Sequence, residues 1–425
     1  MNKVVFISDI FRDRSFKFMT GMYLTLKAIF TRAFKVEFAP PYFAEERFTD
    51  FYNKYSEFSW QNIYNGMPEE MEKEYVSLID MNAIHLSCEA PTWLYKLWQK
   101  YGIKYIDVRL SYLRFMPDIP VLFSTNIPSM IPVLREFKMK DDDIFFEADL
   151  LKGRIGQYVA PHRNFSRFRN SLVILGQLEA DTSLMVEGKQ ECVKLQDYEE
   201  RLKEICSQYE NIYFKPHPYR KYTNGIIDEI RYFKQIVSSN VALARENFYD
   251  LAVQDFPIDF LALSSGSTRE AYYFRKNGMS LMDFPFSYKE GEYFIKNVLI
   301  DATYFFSPKF WQICLSDVLP LSRVCEDFRK PISNIMREHH NMSWGFNEYY
   351  YFNNRNLKEM LTFGGVYSNI NNLKDLCKLK KFIWKYRWQC ILSVVSFGRL
   401  RRRAKKKKRE LKERISKVRS FMREP

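Results

Sequence analysis

The chain lacks the features that mark disulfide-bonded, zinc-binding and membrane-spanning proteins. Its seven cysteines are scattered and form no Cys-x-x-Cys pair, which argues against a disulfide framework and a cysteine-based zinc site. No stretch approaches ~18 consecutive apolar residues, so no membrane span is predicted, and the apolar run at the N-terminus is too short for a signal peptide. No Gly-x-Gly-x-x-Gly follows the first predicted strand, which argues against a Rossmann dinucleotide site.

A net excess of positive charge is lacking outside one end of the chain. The formal net charge is +14. Residues 371–425 hold about 20 Lys and Arg against about 4 acids, so the preceding residues carry a net charge of about −2. A nearly neutral body argues against a nucleic-acid-binding surface. Residues 380–423 mix aromatic and aliphatic side chains with cations, which favours contact with an anionic membrane surface. A solvated charged helix, a coiled coil and RNA binding are the alternatives.

Short apolar runs alternate with helical segments along most of the chain. This alternation predicts an α/β protein with parallel sheets, and 425 residues exceed the length at which one core stops growing. The pattern restarts after a segment at 152–170, where Gly, Pro and Arg cluster without apolar periodicity. Two α/β domains that face each other make the cleft between them the expected site. The predicted divisions are 1–160, 165–335, a closing helical segment 336–370 and the basic tail 371–425.

The stretch 171–184, SLVILGQLEADTSL, is the first candidate for a functional strand end. Its apolar run breaks at a glycine and then presents Gln177, Glu179, Asp181 and Ser183 at alternate positions. Ligands in open α/β sheets bind just beyond the carboxyl ends of the strands, which makes both carboxylates candidates for chemistry. The alternative is a polar turn in which one of them caps the next element.

A second strand end follows at 215–218, where His217 lies between two prolines in the sequence KPHP. The prolines fix φ on both sides, so the imidazole is held outward by a stiff loop. It can bind a phosphate oxygen or protonate a leaving group there. A core or capping histidine is the alternative.

A third strand end leads into the helix start SSGSTRE at 264–270. Gly266 permits close backbone approach, and the hydroxyls together with the N-terminal N–H groups make an anion site. The alternative is a plain N-cap in which Glu270 closes a capping box.

Two further clusters are weaker candidates for metal ligands. The acidic run 141–143 follows polar residues, so a solvated loop is favoured over a cation site. The histidine pair 339–340 consists of adjacent residues, which point apart on a helix, so a surface position is favoured.

Together these motifs resemble the retaining β-Kdo transferases of bacterial capsule and O-antigen assembly. The resemblance lies in Gln177-x-Glu179-x-Asp181-x-Ser183, in KPHP and in the Ser/Thr-rich helix start, and it is clearest over 172–285. KPHP is shared with bacterial CMP-sialic acid transferases, whereas the Gln-Glu-Asp-Ser spacing favours Kdo. The resemblance implies a GT-B-like fold, with two Rossmann-like domains facing a cleft, and CMP-Kdo as donor.

The resemblance also implies roles for individual residues. Asp181 matches the carboxylate that attacks the anomeric carbon, and His217 matches the residue that meets the CMP phosphate and assists its departure. Glu89, in a Glu-x-Pro context, is the candidate that activates the acceptor hydroxyl. The supporting residues would be Gln177, Glu179 and Ser183. The nucleotide-binding residues would be Lys215, Ser265, Gly266, Ser267, Thr268 and Glu270, with Glu270 on the ribose.

Arg109 and Arg114 could hold the sugar carboxylate, which a planar guanidinium binds through two hydrogen bonds. Structural ion pairs are the alternative. No cofactor and no metal are expected, because an imidazole and a helix N-terminus can stabilise departing CMP.

The partners expected are a CMP-sugar, a lipid-linked glycan acceptor and an anionic membrane surface contacted through 380–423, with no nucleic acid. We therefore expect a cytoplasmic enzyme, peripheral on the inner face of the cytoplasmic membrane. The alternatives are an inverting CMP-sialic acid sialyltransferase and a non-catalytic glycan-assembly protein of the same fold.

Overall fold

The computed structural model describes residues 3–12, 17–40, 45–158, 164–217, 224–237, 240–326, 328 and 336–337. The predicted closing segment from residue 338 onward, the histidine pair 339–340 and the tail 371–425 lie outside these residues. The chain divides into the units Met1–Gly365 and Val366–Pro425. The elements given below all belong to the first unit.

The described residues form a mixed α/β structure with two sheets. The strands are β1 Lys3–Ile7, β2 Glu37–Ala39, β3 Ile84–Cys88, β4 Tyr105–Leu110, β5 Val121–Thr125, β6 Ser171–Leu175, β7 Asn211–Lys215, β8 Asn240–Leu243, β9 Ile258–Ala262, β10 Gly278–Ser280, β11 Lys289–Gly291 and β12 Phe294–Ile300. The first sheet has the order β11-β12-β5-β4-β3-β1-β2 and the second the order β10-β9-β6-β7-β8. The second sheet is parallel throughout, whereas the first is parallel from β2 to β4 and antiparallel from β4 to β11.

Helices connect and cover the strands. They are α1 Lys17–Ala33, α2 Glu46–Lys54, α3 Trp60–Ile63, α4 Glu69–Leu78, α5 Thr92–Tyr101, α6 Met130–Glu136, α7 Asp141–Tyr158, α8 Glu199–Cys206, α9 Asn224–Ile236, α10 Phe248–Ala252, α11 Gly266–Tyr273, α12 Ala302–Phe305 and α13 Pro308–Leu315. Within the part of the chain that is described, no helix combines the length and apolarity needed to cross a bilayer.

The central strands are buried on both faces, which explains their continuous apolar runs. Every residue of β3, β5 and β6 is buried. A strand with helices on both sides has no solvent-facing side and therefore shows no polar alternation. The strands predicted from such runs at 83–86, 172–175, 211–214 and 259–263 coincide with β3, β6, β7 and β9.

The end of the predicted second domain, 165–335, belongs to the first sheet. β12 pairs with β5, and its residues Ile295, Val298 and Ile300 lie in the same apolar cluster as Phe30 and Trp311. The Trp311 ring lies 4.9 Å from the Phe30 ring of α1. The chain thus crosses back to the first sheet after β10, so β12 pairs with a strand of the predicted first domain.

The acidic run 141–143 is the first turn of α7 and not the solvated loop that was predicted. Carboxylates in the first turn interact favourably with the N-terminal end of the helix dipole. The Tyr273 hydroxyl also donates a hydrogen bond to Asp141 Oδ1 at 3.0 Å. Since α7 continues to Tyr158, the predicted boundary segment 152–170 begins inside a helix.

Candidate active site

Three adjacent parallel strands bring the predicted motifs to one edge of the second sheet. β6 lies between β7 and β9, and all three run in the same direction. Their carboxyl ends therefore lie side by side. The segments that follow them carry Asp181, His217 and the start of α11, so the topology places these groups along one edge.

A hydrogen-bonded network ties the end of β6 to the end of β9. Ser264 N donates to Gln177 Oε1 at 2.8 Å, and Ser264 Oγ donates to the Ser183 carbonyl at 2.7 Å. Gln177 Nε2 lies 3.3 Å from Ser264 Oγ and 3.4 Å from Ser183 Oγ. Gln177 and Ser183 therefore support the loop that carries Asp181, and Ser264 joins them although it was not predicted as a site residue.

Asp181 caps a short 3-10 turn, Thr182–Leu184. Its Oδ1 accepts a hydrogen bond from Ser183 N at 2.8 Å, which orients the carboxylate. The side chain is half-buried, whereas Glu179 is exposed. The capping alternative is thus correct for Asp181, and capping is compatible with a partly accessible carboxylate at the sheet edge.

His217 is an electrostatic neighbour of Asp181. Burial lowers the pKa of His217 to about 4, with the negative charge of Asp181 opposing the shift and the positive charge of Lys215 adding to it. The imidazole is therefore neutral at neutral pH in the free protein, which favours donating an N–H to a phosphate oxygen over protonating it. Pro218 lies outside the described residues.

The loop after β6 packs tightly against the KPHP segment. A Cβ on Gly176 would lie 3.3 Å from Pro216 Cα and 3.4 Å from His217 N. Gly176 N also donates to the Lys215 carbonyl at 2.8 Å. The glycine between the apolar run and Gln177 therefore lets the two strand ends approach each other.

Lys215 contributes a buried positive charge at the end of β7, two residues before the histidine. It is 9% exposed, and burial lowers its pKa to about 8, opposed by the carboxylates of Glu246 and Asp250. A buried cation at this edge makes the local potential more positive, which favours an anionic ligand.

The N-terminus of α11 is capped as the simpler alternative predicted. Ser265 Oγ accepts a hydrogen bond from Ser267 N at 3.3 Å. Thr268 is 2% exposed, and its Oγ1 donates to the Ser265 carbonyl at 2.8 Å and contacts Ser280 Oγ at 3.0 Å. The Thr268 hydroxyl is therefore hydrogen-bonded within the protein, whereas Ser265 and Ser267 lie at the helix start, and the phosphate contact stays a prediction.

Gly266 permits a close approach of the first half of the chain. A Cβ at this position would lie 2.7 Å from Tyr112 Cβ, which is closer than real Cβ contacts. The sequence predicted that the glycine makes room for a ligand. In the structure, Tyr112 occupies the space beside it, so the glycine allows contact between the two halves.

Glu270 joins the segment after β4 to α11 through hydrogen bonds. It is 1% exposed, and its Oε1 accepts hydrogen bonds from Arg114 N at 2.6 Å, Phe115 N at 3.3 Å and the Tyr249 hydroxyl at 2.9 Å. Burial raises the pKa of Glu270 to about 7, although these donors oppose the rise. The predicted capping box is therefore wrong, because the carboxyl group is enclosed and accepts hydrogen bonds from 114–115, and the ribose contact stays a prediction.

We expect the buried carboxyl group of Glu270 to make the free energy of unfolding decrease as pH rises. Its folded pKa of about 7 exceeds the ordinary value of 4.5, so the folded state holds a proton that the unfolded state has lost, and the stabilisation disappears as pH rises through 7. Glu270→Gln should flatten the decline of melting temperature between about pH 5 and pH 8. Glu204→Gln on the exposed face of α8 is the control and should leave the slope unchanged. An identical slope in both variants would contradict the assignment.

Glu89 lies at the corresponding edge of the first sheet, directly after β3. Its backbone adopts φ 58°, a left-handed conformation that is uncommon for a residue with a side chain and typical of functional sites. Glu89 N donates to the Val108 carbonyl at 2.9 Å, and Arg12 Nη2 donates to Glu89 Oε2 at 3.0 Å. The surrounding contacts thus hold an unfavourable backbone conformation in place.

Three guanidinium groups keep Glu89 ionised. Burial raises the pKa of Glu89, but the positive charges of Arg12, Arg109 and Arg114 outweigh it, and the net pKa is below the ordinary value. A carboxylate that stays charged at neutral pH can accept a proton, which is the state a general base needs.

Arg109 is occupied by a buried ion pair, as the structural alternative predicted. Its Nε lies 3.0 Å from Asp107 Oδ2, and its Nη2 donates to the Ala90 carbonyl. Asp107 also accepts hydrogen bonds from Ala90 N at 2.9 Å and from the Tyr95 hydroxyl at 2.6 Å. The guanidinium therefore supports the Glu89 loop instead of standing open to a sugar carboxylate.

Asp9 and Arg12 were missed at the end of β1. Asp9 is 2% exposed, and its Oδ1 accepts a hydrogen bond from Phe11 N at 3.1 Å. Burial raises the pKa of Asp9, and the Arg12 charge opposes the rise. The sequence contains a signal for Asp9, because Ser8 and Asp9 directly follow the apolar run of β1. The Gln-x-Glu-x-Asp motif follows the apolar run of β6 in the same way.

Comparison with known proteins gives little beyond this geometry. No family model matches the chain, and no curated protein matches it. Among solved structures, the chain is similar to KpsC of Thermosulfurimonas dismutans, a beta Kdo 2,7 transferase, with a TM-score of 0.33 and 12% sequence identity, covering 65% of this chain and 77% of that chain. Similarity at this level carries no functional argument, so the function must be argued from the site itself.

Proposed function

We propose that the protein is a retaining glycosyltransferase that transfers Kdo from CMP-Kdo to a bacterial surface polysaccharide or lipid-linked glycan. The observation that carries the proposal is the position of Asp181 and His217 after adjacent parallel strands, where the charge of Asp181 acts on the imidazole, on the same sheet edge as the N-terminus of α11. A carboxylate next to a phosphate-binding imidazole is what a double-displacement transfer from a sugar phosphate needs. The choice of Kdo rests on the Gln-Glu-Asp-Ser motif.

In the first displacement, the Asp181 carboxylate attacks the anomeric carbon of Kdo. The bond from that carbon to the phosphate oxygen breaks, and CMP leaves with the electron pair. A neutral His217 donates its N–H to the departing phosphate, and the N-terminal N–H groups of α11 stabilise the same charge. Kdo bears its own carboxylate next to the anomeric carbon, so the sugar itself stabilises part of the positive charge that develops.

In the second displacement, Glu89 accepts the proton of the acceptor hydroxyl. The acceptor oxygen attacks the anomeric carbon from the face that CMP left, and Asp181 is released as a carboxylate. Two inversions give net retention. This scheme requires the two halves to bring Glu89 toward the second sheet, and it uses no metal ion.

Of the two arginines considered for the sugar carboxylate, Arg114 is the better candidate. The charges of both arginines act on Glu89, which places both near the proposed base, but Arg109 is already held in a buried ion pair with Asp107. Contact with a lipid-linked acceptor at the inner face of the cytoplasmic membrane, aided by 380–423, remains part of the proposal.

A nucleotide-release assay tests the proposed donor. Purified protein is incubated separately with CMP-Kdo and CMP-sialic acid, with a glycan acceptor mixture, and free CMP is measured. The proposal predicts release from CMP-Kdo only. Release from CMP-sialic acid alone would favour the inverting sialyltransferase, and release from neither would favour a non-catalytic assembly protein.

Removal of Arg12 should alter the pH dependence of the reaction. Because its positive charge lowers the pKa of Glu89, Arg12→Ala should raise that pKa and move the acid limb of the kcat/KM profile to higher pH. Arg12→Lys should restore most of the original profile. Arg47→Ala, which removes an exposed ion pair with Glu45, is the control. An unchanged acid limb in the Arg12→Ala variant would exclude Glu89 as the titrating base.

A further inference from the structure

The exposed face of α1 carries cations and no acid. Lys27 and Arg32 lie on this face and Lys35 follows the helix, and all three side chains are exposed. Between residues 17 and 36 the sequence contains no Asp or Glu. Among the described residues none of the three cations has an ion-pair partner, whereas surface cations on other helices do, such as Lys73 with Glu69 and Lys203 with Glu199. The face therefore presents uncompensated positive charge.

A later segment adds a fourth cation and closes a groove. Lys35 N donates to the Pro320 carbonyl at 2.8 Å, and Ser322 N donates to the Ala33 carbonyl at 3.0 Å. These bonds hold Arg323 against the helix. Between the segment and α1 lies an open groove of about 600 Å³, which Arg323 lines together with the helix cations. None of the groove's lining residues in the described chain is acidic.

Aliphatic side chains project beside these cations. Leu24 is 58% exposed, Leu321 is 39% exposed and Val324 is 77% exposed. Single exposed aliphatic residues are common, but three around one cationic groove form a mixed surface. Cations that flank exposed aliphatic side chains are typical of protein faces that lie in the headgroup region of a bilayer.

We propose that this surface, which we call the basic groove, docks onto anionic phospholipid at a membrane. Charge complementarity selects the partner, because unpaired Lys and Arg side chains meet lipid phosphates while Leu24, Leu321 and Val324 enter the boundary between headgroups and acyl chains. The docking is a property of the folded unit and is separate from the basic tail 371–425. It does not depend on the reaction proposed above.

Vesicle partitioning of the full chain tests the proposal. The Lys27→Glu/Arg32→Glu double variant should lose at least ~25-fold in partition coefficient on phosphatidylglycerol-containing vesicles, because each cation lost near an anionic surface lowers binding by about fivefold. The control Arg231→Glu/Lys234→Glu on α9 makes the same change in net charge and should bind as the wild type. All proteins should bind pure phosphatidylcholine weakly. Equal partitioning of the two double variants would overturn the proposal.

A second variant separates membrane docking from binding of a small anion. Val324→Asp removes an exposed aliphatic contact that lies outside the core, and it should lower partitioning several-fold without changing the melting temperature. The contradicting result has two parts: Val324→Asp binds vesicles like the wild type, and the wild type binds soluble glycerophosphate whereas Lys27→Glu/Arg32→Glu does not. In that case the groove is a small-anion site and the docking proposal fails.

Discussion

We expect Asp181→Asn to reduce kcat/KM for Kdo transfer by at least about a thousandfold. The amide cannot attack the anomeric carbon, so the covalent route is closed. The amide oxygen can still accept the hydrogen bond that Asp181 Oδ1 accepts from Ser183 N at 2.8 Å. The turn after β6 is therefore preserved, and the loss of activity will not reflect unfolding. Initial rates and a melting curve, measured on the same preparation, check both statements.

Glu191→Gln is the matched control for this substitution. Glu191 lies ten residues later on the connection between β6 and α8 and is exposed, so its amide variant should keep most of the activity. An active Asp181→Asn variant would contradict the retaining mechanism and favour the inverting alternative, which needs no enzyme nucleophile.

His217→Ala should lower kcat/KM by about a hundredfold to a thousandfold, the usual effect of removing one donor to a developing negative charge. Since burial holds the pKa of His217 at about 4, the imidazole acts as a neutral N–H donor, and no activity limb near pH 6.5 should arise from it in the free enzyme. The measurement is a pH series of kcat/KM for CMP-Kdo.

His217→Asn gives the complementary test, because its amide group retains an N–H donor. It should recover part of the rate lost in the alanine variant. Equal rates for the wild type and His217→Ala would show that the histidine does not assist the departure of CMP. A wild-type acid limb centred near pH 6.5 that is absent from His217→Ala would show that the imidazole acts in its protonated form.

Local sequence signals predicted the elements that carry the donor side of the candidate site. β6, β7 and β9 each show an apolar run that ends at a polar motif, and adjacent parallel strands bring such ends to one edge. Asp181, His217 and Ser265 can therefore be grouped from the sequence alone. Asp9 has the same kind of signal after β1 and could have been found by the same rule.

Long-range pairing could not be predicted in this way. β12 returns to the first sheet about 170 residues after its partner β5, and nothing in its own residues identifies that partner. The role of Glu270 depends on the backbone of 114–115, which lies 155 and 156 residues away. The left-handed conformation of Glu89 is accompanied by contacts with Arg12 and β4, which lie elsewhere in the sequence, so the local pattern does not reveal it.

Intact-mass spectrometry, followed by peptide mass spectrometry, of a Glu89→Gln variant incubated with CMP-Kdo detects the proposed covalent intermediate directly. Without the Glu89 carboxylate as base, the second displacement is slowed while attack by Asp181 proceeds. We therefore expect one Kdo residue covalently attached to the peptide that contains Asp181. The Glu89→Gln/Asp181→Asn double variant should carry none. Two results would contradict the covalent Asp181 mechanism. One is that the wild type turns over CMP-Kdo while the Glu89→Gln variant carries no adduct, and the other is an adduct on a different residue.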